Sequence, residues 1–460
     1  MKKSFIFLAV AAIAFLVAAC VKPVPVGPDE PDDPTPTPTP GPDVPALYDI
    51  AIQLQSEGAN FAVEGITVAI ADDAGVASYD AVTDATGKVS FKLPAGTYAA
   101  TATYKTAEDG QRLTFNGANN AIYVSKNGDR SFNLSLNKVV SQQIIIKEVY
   151  TTGCNSSALN KKYFDDAYII LYNNSEMEAD ASDIVFAGGA PSMPSQKQNY
   201  WLDATTLLFE NANWLPSYSA YWWFDSEVKI PAYSQIVVAL FGAIDHTQTV
   251  AESVDLSNAS YYWMNNKSVT AFKAAKYSVS ENIPAANYLS GISLNPGTAW
   301  VIANSAPAFF IANISKEEAT AIAQNKDAYD TYCGTSDAFK FPKFPKDNVV
   351  DAFEVWVSTN VANSKPRFST DILTGYLPMT NGMGYTAYRN VDKEATEALE
   401  ENAGKLVYNY AGGTDDVRGS TDPSGIDAEA SIAAGAHIIY SDTNDMAKDY
   451  HQRKVASLKK

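Results

Sequence analysis

The sequence predicts a mainly β protein, in which a small β-sandwich precedes a larger immunoglobulin-like β-sandwich domain with long insertions and a few short helices. Short runs of alternating apolar and polar residues, rich in β-branched side chains, indicate strands with one buried face. Clusters of glycine, proline and aspartate between these runs indicate turns. The chain of 460 residues also exceeds one ordinary domain of about 150 residues.

The N-terminus has the pattern of a secretory signal. Lys2 and Lys3 precede an uncharged stretch, Phe5 to Ala19, which ends directly before Cys20. This stretch is shorter than a membrane span of about 20 apolar residues. The segment resembles the bacterial lipobox, which implies that residues 1–19 are removed and that Cys20 carries the lipid. The alternative is an ordinary signal peptide that happens to contain a cysteine.

Residues 20–46 form a predicted tether, with a proline at roughly every second or third position from residue 23 onward. Polyproline II geometry, at about 3.1 Å per residue, would let residues 23–45 span roughly 70 Å. The tether contains four acidic residues, Asp29, Glu30, Asp32 and Asp33. They are either solvated linker charges or an export signal like that of many Bacteroidetes lipoproteins. We expect the outer, cell-surface face of the outer membrane, because a long stalk has little use in a narrow periplasm.

Residues 47–139 are predicted to form the small sandwich. Val63 to Ala71 and Val89 to Leu93 alternate as half-buried strands do. The run from Thr83 to Tyr98 resembles the transthyretin-like, carboxypeptidase-regulatory-like β-sandwich, with Gly87 at a tight hairpin turn. The usual role of such modules is that of a spacer or platform, so no active site is expected here.

Residues 140–460 are predicted to form the large domain. The order of its apolar segments resembles a lamin-tail-like immunoglobulin sandwich. The expected strands are Ile144–Val149, Asp166–Ser175, Ala181–Phe186, Ile230–Ala239, Leu294–Ile302, Val349–Val355 and Gly384–Arg389. Ser315 is expected to cap a helix through Tyr329, and Asp392 a short helix through Glu400 that ends near Gly404.

Four segments of the C-terminal half carry a further resemblance: Tyr385–Asp392, Asn409–Asp415, Gly425–Ser431 and Asp449–Arg453. Together they resemble a family of Bacteroidetes lipoproteins known as domain of unknown function 4876. The resemblance implies an outer-membrane location and genes near those of TonB-dependent transporters. It implies no reaction.

Charge and motifs exclude several classes of function. The chain has 34 Lys and Arg against 52 Asp and Glu, a formal net charge of −18, whereas nucleic-acid binding requires a basic surface. HExxH, Gly-x-Ser-x-Gly and phosphate-loop motifs are absent from the sequence. No spacing of Asp and Glu selects a glycosidase pair. The sequence therefore predicts no nucleic-acid partner, no cofactor, no catalytic residues and no enzyme activity.

Aromatic residues provide the candidate ligand site. All seven Trp lie between positions 201 and 356, many of them in short aromatic runs. Adjacent side chains on a strand alternate sides, so some rings of a run are expected to face outward or to lie in a loop. Trp222, Trp223 and Trp263 are the candidates for a platform that stacks on sugars, haem-like rings or an aromatic chelator. The alternative is packing in the core.

Two other groups of residues are candidate sites. One is a metal site formed by Asp445, Asp449 and His451; its alternative is a structural hydrogen-bonding role for His451 and Arg453, and no metal is predicted. Cys154 and Cys333 remain after lipidation of Cys20, in a compartment that oxidises thiols. They are either bridged or two buried thiols that pack as small apolar residues.

These observations predict a non-enzymatic, lipid-anchored outer-membrane surface protein that binds a ligand or partner. The expected partners are the membrane, through the N-terminal lipid, and a TonB-dependent outer-membrane transporter. The ligand classes left open are a metal chelate, a glycan and a peptide. The alternative is a structural or adhesive, fimbria-like lipoprotein, since such proteins also place transthyretin-like sandwiches behind a lipobox.

Replacement of Cys20 tests the anchor. Cys20→Ser is expected to release the protein from the membrane fraction or to leave it uncleaved, because serine cannot form the thioether to the lipid. Fractionation and immunoblotting measure this, with Cys154→Ser as the matched control that stays in the membrane. Retention of the Cys20→Ser protein in the membrane as a processed chain contradicts the lipoprotein assignment.

Overall fold

The computed structural model describes residues 45–56, 64–72, 77–108, 111–195, 202–203, 206–265, 277–293, 303–325, 329–331, 340–417 and 420–459. Cys20, Cys333 and the expected strand Leu294–Ile302 lie outside these residues. Residues Leu47–Lys460 form one compact unit, separate from Met1–Ala46. All strands and helices below belong to the unit Leu47–Lys460.

The first strands form a small β-sandwich, as predicted. They are β1 Leu47–Ser56, β2 Thr67–Asp72, β3 Ser78–Val82, β4 Lys88–Pro94, β5 Gly96–Glu108, β6 Gln111–Val124 and β7 Ser131–Ser141. Their order is β3-β2-β5-β6-β7-β1-β4. The first half of β7 pairs in parallel with β1 and its second half pairs antiparallel with β6. β7 therefore passes from one layer to the other and joins them.

The predicted hairpin turn at Gly87 is confirmed. The Asp84 carboxylate accepts hydrogen bonds from the backbone N–H groups of Thr86, at 2.8 Å, and Lys88, at 3.1 Å. Gly87 has a φ of 76°, a conformation that glycine adopts without the steric cost of a side chain. The turn places Val89, Phe91 and Leu93 of β4 in the core.

The large domain contains the remaining strands. They are β8 Ile144–Tyr150, β9 Cys154–Ser156, β10 Lys161–Tyr163, β11 Tyr168–Asn173, β12 Ala179–Asp180, β13 Ile184–Gly189, β14 Leu202–Asp203, β15 Thr206–Leu207, β16 Trp214–Trp223, β17 Lys229–Ile230, β18 Gln235–Ala239, β19 Tyr262–Met264, β20 Tyr288–Ser293, β21 Ala308–Asn313, β22 Tyr329–Thr331, β23 Lys340–Pro345, β24 Val349–Val357, β25 Leu377–Met379, β26 Thr386–Arg389 and β27 Tyr450–Arg453.

The helices of the described ranges are short. The α-helices are α1 Lys316–Gln324, α2 Lys393–Glu397, α3 Ala428–Ala433 and α4 Met446–Asp449. The 3-10 helices are His246–Gln248, Ala285–Asn287, Lys346–Asn348, Ser358–Asn363 and Glu400–Asn402. Within the described ranges, no helix has the length and apolar character that crossing a membrane requires.

The principal sheet of the large domain folds into a second sandwich. Its strand order is β25-β24-β21-β13-β16-β20-β19-β18-β11-β8-β26-β27, with β19 parallel to both of its neighbours. The two halves face each other, because Asp351 of β24 accepts a 2.7 Å hydrogen bond from the backbone N–H of Ile146 in β8. The first and last strands of this order, β25 and β27, also meet. The N–H of Thr380, directly after β25, donates to Oε1 of Gln452 in β27 at 2.7 Å. The predicted sandwich architecture is thus confirmed.

Both predicted helix caps are present. Ser315 Oγ accepts from the Glu318 N–H at 3.2 Å, and the Asp392 carboxylate accepts from the Ala395 N–H at 3.1 Å. The expected ends of both helices were wrong. The helix after Ser315 was expected to continue through Tyr329, but α1 ends at Gln324 because Asn325 is extended, and Tyr329 begins β22. The helix after Asp392 was expected to continue through Glu400, but α2 ends at Glu397 and a separate 3-10 helix follows. The expected strand Ile230–Ala239 is also divided, because Tyr233 adopts a φ of 51° and turns the chain between β17 and β18.

A fully buried ion pair connects β24 to the loop before β25. Arg367 Nε lies 2.8 Å from Glu354 Oε1, and both side chains are buried. The guanidinium also donates to the backbone carbonyls of Ser192, Ala306, Pro307 and Val355. Because every donor of the guanidinium is satisfied, the pair ties the Arg367 loop and β24 to the segments at Ser192 and Ala306 without an unpaired charge.

Removal of one partner of this pair is expected to be costly, because the other charge is left buried. We expect Arg367→Met to lower the free energy of unfolding by about 3–5 kcal/mol. The exposed pair between Lys316 and Asp225, at 2.7 Å, supplies the control, and Lys316→Met is expected to cost about 0–1 kcal/mol. Urea unfolding of both variants measures the difference. Equal losses would show that Arg367 contributes no more than a surface lysine.

Candidate functional site

The three predicted platform residues lie in the core of the large domain. Trp222, Trp223 and Trp263 are 0%, 8% and 1% exposed. The indole N–H of Trp263 donates to the Phe241 carbonyl at 2.6 Å, and its ring packs edge-on against Tyr288 at 5.0 Å. This burial contradicts the platform interpretation of these rings and supports the alternative, packing in the core.

Of the two expected outcomes for the aromatic runs, an outward-facing ring and a ring in a loop, the second is found at Phe224 and Tyr261, which lie just outside β16 and β19. The rings at Tyr221 and Trp222 do not face solvent, because β16 is covered on both faces. Tyr221 lies on one face, where its hydroxyl donates to the Ala319 carbonyl of α1 at 2.7 Å and its ring contacts Phe344 of β23. Trp222 lies on the other face, close enough to Gly291 of β20 that a Cβ there would be 2.6 Å from the indole. The alternation of side chains between the two faces of the strand was predicted correctly. The elements that cover the Tyr221 face, α1 and β23, lie far away in the sequence and were not predicted.

Truncation of Trp222 tests its place in the core. Trp222→Ala is expected to lower the free energy of unfolding by about 3–5 kcal/mol, because it removes a buried ring and leaves a cavity. Tyr123→Ala, at a 63% exposed position of the small sandwich, is the control, with an expected change within about 0.5 kcal/mol. Chemical denaturation compares the two. A small effect at Trp222 would contradict the core assignment.

Cys154, half of the predicted disulfide, is buried in a polar cluster. Its Sγ lies 3.8 Å from Asp166 Oδ2, which also accepts from Ser253 Oγ. Burial, together with the carboxylate of Asp166, raises the pKa of the Cys154 thiol to about 12. Because Cys333 lies outside the described residues, the bridge stays a prediction.

Asp445, Asp449 and His451, the candidate metal site of the C-terminal tail, contact other protein groups. Asp445 caps α4, and Asp449 accepts from the backbone N–H and hydroxyl of Thr443 at 2.8 Å. The two ring nitrogens of His451 contact Tyr410 and Asn390, and burial lowers the pKa of this histidine to about 3. In the part of the chain that the structure describes, no group of three or more His, Cys, Asp or Glu is arranged to hold a metal ion.

A groove of about 770 Å³ lies where the two ends of the large sandwich meet. It is bordered by the 3-10 helix Ser358–Asn363, the start of β25, the loop at Asp416, and residues of α4 and β27. Small-molecule sites occupy about 300–1,000 Å³. The groove therefore has the volume of a ligand site, at a sandwich edge formed by loops.

The wall of the groove contains a rigid aromatic platform. Tyr376 lines the groove and stacks on Trp356, with ring centroids 3.8 Å apart and planes 5° apart. The Trp356 indole N–H donates to Glu354 Oε1 at 2.9 Å, and Glu354 is the partner of Arg367. The buried ion pair thus fixes the tryptophan, which in turn supports one face of the tyrosine ring.

Polar groups are held in place on the opposite rim. Asp416 accepts from Thr380 Oγ1 at 2.6 Å and from Gln452 Nε2 at 2.9 Å. Burial acts to raise the pKa of Asp416, but these hydrogen bonds outweigh it and lower the pKa below the ordinary value. Asp416 is therefore a fixed, ionised hydrogen-bond acceptor beside the groove. The hydroxyl of Ser358 lies 3.3 Å from that of Thr380 and continues this polar rim.

The sequence analysis missed this platform. Trp356 and Tyr376 are 20 positions apart in the sequence, and no aromatic run marks either of them. The available signal was the pattern of β24, in which Glu354 and Trp356 share one side of the strand. A charged residue two positions from a tryptophan on a largely apolar strand indicates a buried polar partner.

Two comparisons with known proteins give matches. Residues 233–415 match the sequence model of the family "Protein of unknown function (DUF4876)". The crystal structure of a DUF4876 family protein from Bacteroides thetaiotaomicron VPI-5482 is similar to this chain, with a TM-score of 0.52 at 18% identity, over 89% of this chain and 95% of that chain. No curated protein matches the chain. At this identity the structural likeness establishes the fold alone.

The matched segment contains Trp356 and Tyr376 and ends next to Asp416. It also contains Tyr385–Asp392 and Asn409–Asp415, two of the four segments from which the resemblance was predicted. Over residues 233–415 the chain thus carries the sequence pattern of the DUF4876 family, and the predicted family resemblance is confirmed.

Proposed function

We propose that this protein is a non-enzymatic, lipid-anchored surface protein of the outer membrane that captures a small ligand in the groove at Tyr376 and passes it to a TonB-dependent transporter. The observation that carries the proposal is the groove itself, with a tyrosine ring supported from behind by Trp356. The lipobox at Cys20 and the proline-rich tether support the location, since they would hold the binding domain away from the bilayer.

The construction of the platform favours binding. A ligand that stacks on Tyr376 meets a ring whose position is already fixed by Trp356 and the Glu354–Arg367 pair. Little conformational entropy is then lost when the ligand binds, and preorganisation of this kind increases affinity. The groove is open at its edge, which suits uptake and release of a cargo.

The electrostatics of the groove favour binding over catalysis. General acid–base catalysis is most effective when the pKa of the group lies near the working pH. Asp416 has a lowered pKa and is held by Thr380 and Gln452, so at neutral pH it stays ionised and acts as an acceptor. Cys154 does not line the groove, and its raised pKa makes its thiol a poor nucleophile.

The adhesive alternative has a separate structural basis. β3 and β4 are the two ends of the strand order in the small sandwich, and an edge strand can pair with a strand of another chain. An adhesive protein of this kind would form polymers that persist on a non-boiled gel. A ligand-capturing protein has no such requirement.

Complementation of a deletion strain tests the ligand groove. The strain is grown on limiting iron sources and on single glycans, with the wild-type gene, Tyr376→Ala or Tyr376→Phe. We expect the wild-type and Tyr376→Phe proteins to restore growth on at least one of these nutrients, and Tyr376→Ala to fail, because only alanine removes the ring. Tyr123→Ala is the surface control and is expected to restore growth.

Two outcomes contradict the proposal. One is full restoration by Tyr376→Ala at equal protein abundance, which would show that the groove is not used. The other is a deletion strain that grows like the parent on every nutrient but loses polymer ladders or adherence, which would favour the adhesive alternative.

A further inference from the structure

We infer that the ligand of the groove is a neutral carbohydrate, bound with the apolar face of one sugar ring against Tyr376. This inference rests on the proposed function, and it selects among the three ligand classes that the sequence left open. It depends on the geometry of the platform, on the chemistry of the rim and on the sign of the charge beside the groove.

The platform has the chemistry that recognises a pyranose ring. One face of such a ring presents C–H groups, which pack on the electron-rich face of an aromatic side chain. One face of Tyr376 is taken by Trp356, at 3.8 Å and nearly parallel, so the stack offers a single flat surface to a ligand. Leu377, Pro378 and Val361 continue the apolar part of the lining.

The rim supplies partners for sugar hydroxyls. The carboxylate of Asp416 accepts from Thr380 Oγ1 at one oxygen and from Gln452 Nε2 at the other, and as a carboxylate it is an acceptor that hydroxyl donors of a ligand can use. Ser358 and Thr359 also line the groove and can both donate and accept. An apolar ring face with hydroxyls along its edge matches this arrangement of an aromatic wall and a polar rim.

Charge argues against the metal chelates. Ferric catecholate complexes and haem carry negative charge at neutral pH, and burying an anion requires a cationic partner. Among the described residues that line the groove, Asp416 is the only ionisable side chain apart from tyrosine, and its carboxylate is ionised. An anionic chelate would therefore meet a like charge.

Strand addition is also disfavoured as a mode of peptide binding. An extended peptide that joins a sheet edge needs free backbone donors and acceptors there. The N–H of Thr380, directly after β25, already donates to Gln452 Oε1 at 2.7 Å. The edge beside the groove is therefore partly closed by β27, and side-chain recognition of a ring is the better fit.

Binding of the full-length protein to defined probes tests this inference. The probes are an array of neutral and acidic oligosaccharides, haemin, a ferric catecholate complex and a mixture of unstructured peptides. We expect binding to neutral oligosaccharides and to no anionic probe. Titration with the best oligosaccharide is expected to show a loss of affinity of about tenfold or more for Tyr376→Ala, as for other tyrosines at the centre of an interface. Tyr376→Phe is expected to retain binding.

Asp416→Asn and Tyr123→Ala complete the set of variants. Asp416→Asn is expected to weaken oligosaccharide binding without creating affinity for haemin, and Tyr123→Ala to change neither. Binding of haemin, the ferric complex or a peptide that is lost in Tyr376→Ala would overturn the carbohydrate inference while leaving the ligand groove intact. Oligosaccharide binding that Tyr376→Ala leaves unchanged would also overturn it, and binding of no probe would overturn the groove as well.

Discussion

The large domain depends on the buried guanidinium of Arg389, which joins both layers of the sandwich to the C-terminal segment. It forms ion pairs with Asp351 of β24 and with Asp442, and it donates to the Ile146 carbonyl of β8 at 2.9 Å. Burial of a charge is tolerated only when partners replace its water. Several carboxylates surround this one guanidinium. Burial outweighs the attraction of Arg389 and raises the pKa of Asp351 to about 7.

Two buried arginines, Arg389 and Arg367, hold the two sides of the groove in place. Arg389 lies near Asp449, the last residue of α4, and thereby helps to position the side of the groove formed by α4 and β27. Arg367 fixes the other side through Glu354 and Trp356. The loops that border the groove are therefore held by interior ion pairs, so that a surface site has the rigidity of the core.

The sequence predicts the parts of this protein that depend on local chemistry. The caps at Ser315 and Asp392, the Gly87 turn and the apolar strands β8, β11 and β24 follow from neighbouring residues. Packing between residues that are far apart in the sequence cannot be predicted from neighbouring residues. The burial of Tyr221 depends on α1 and β23, about a hundred positions away. The platform depends on a contact between Trp356 and Tyr376 that the parallel pairing of β24 and β25 creates.

The position of Asp442 has a consequence for the order in which the chain acquires its structure. Besides Arg389, its carboxylate accepts from Ser141 Oγ at 3.1 Å and from the Gln142 N–H at 3.2 Å, at the junction between the two sandwiches. Synthesis proceeds from the N-terminus, so β8, which begins at Ile144, precedes by about three hundred residues the Asp442 carboxylate that links Arg389 to the junction. The principal sheet is therefore complete only after its last strand, β27, has been synthesised and has paired with β26.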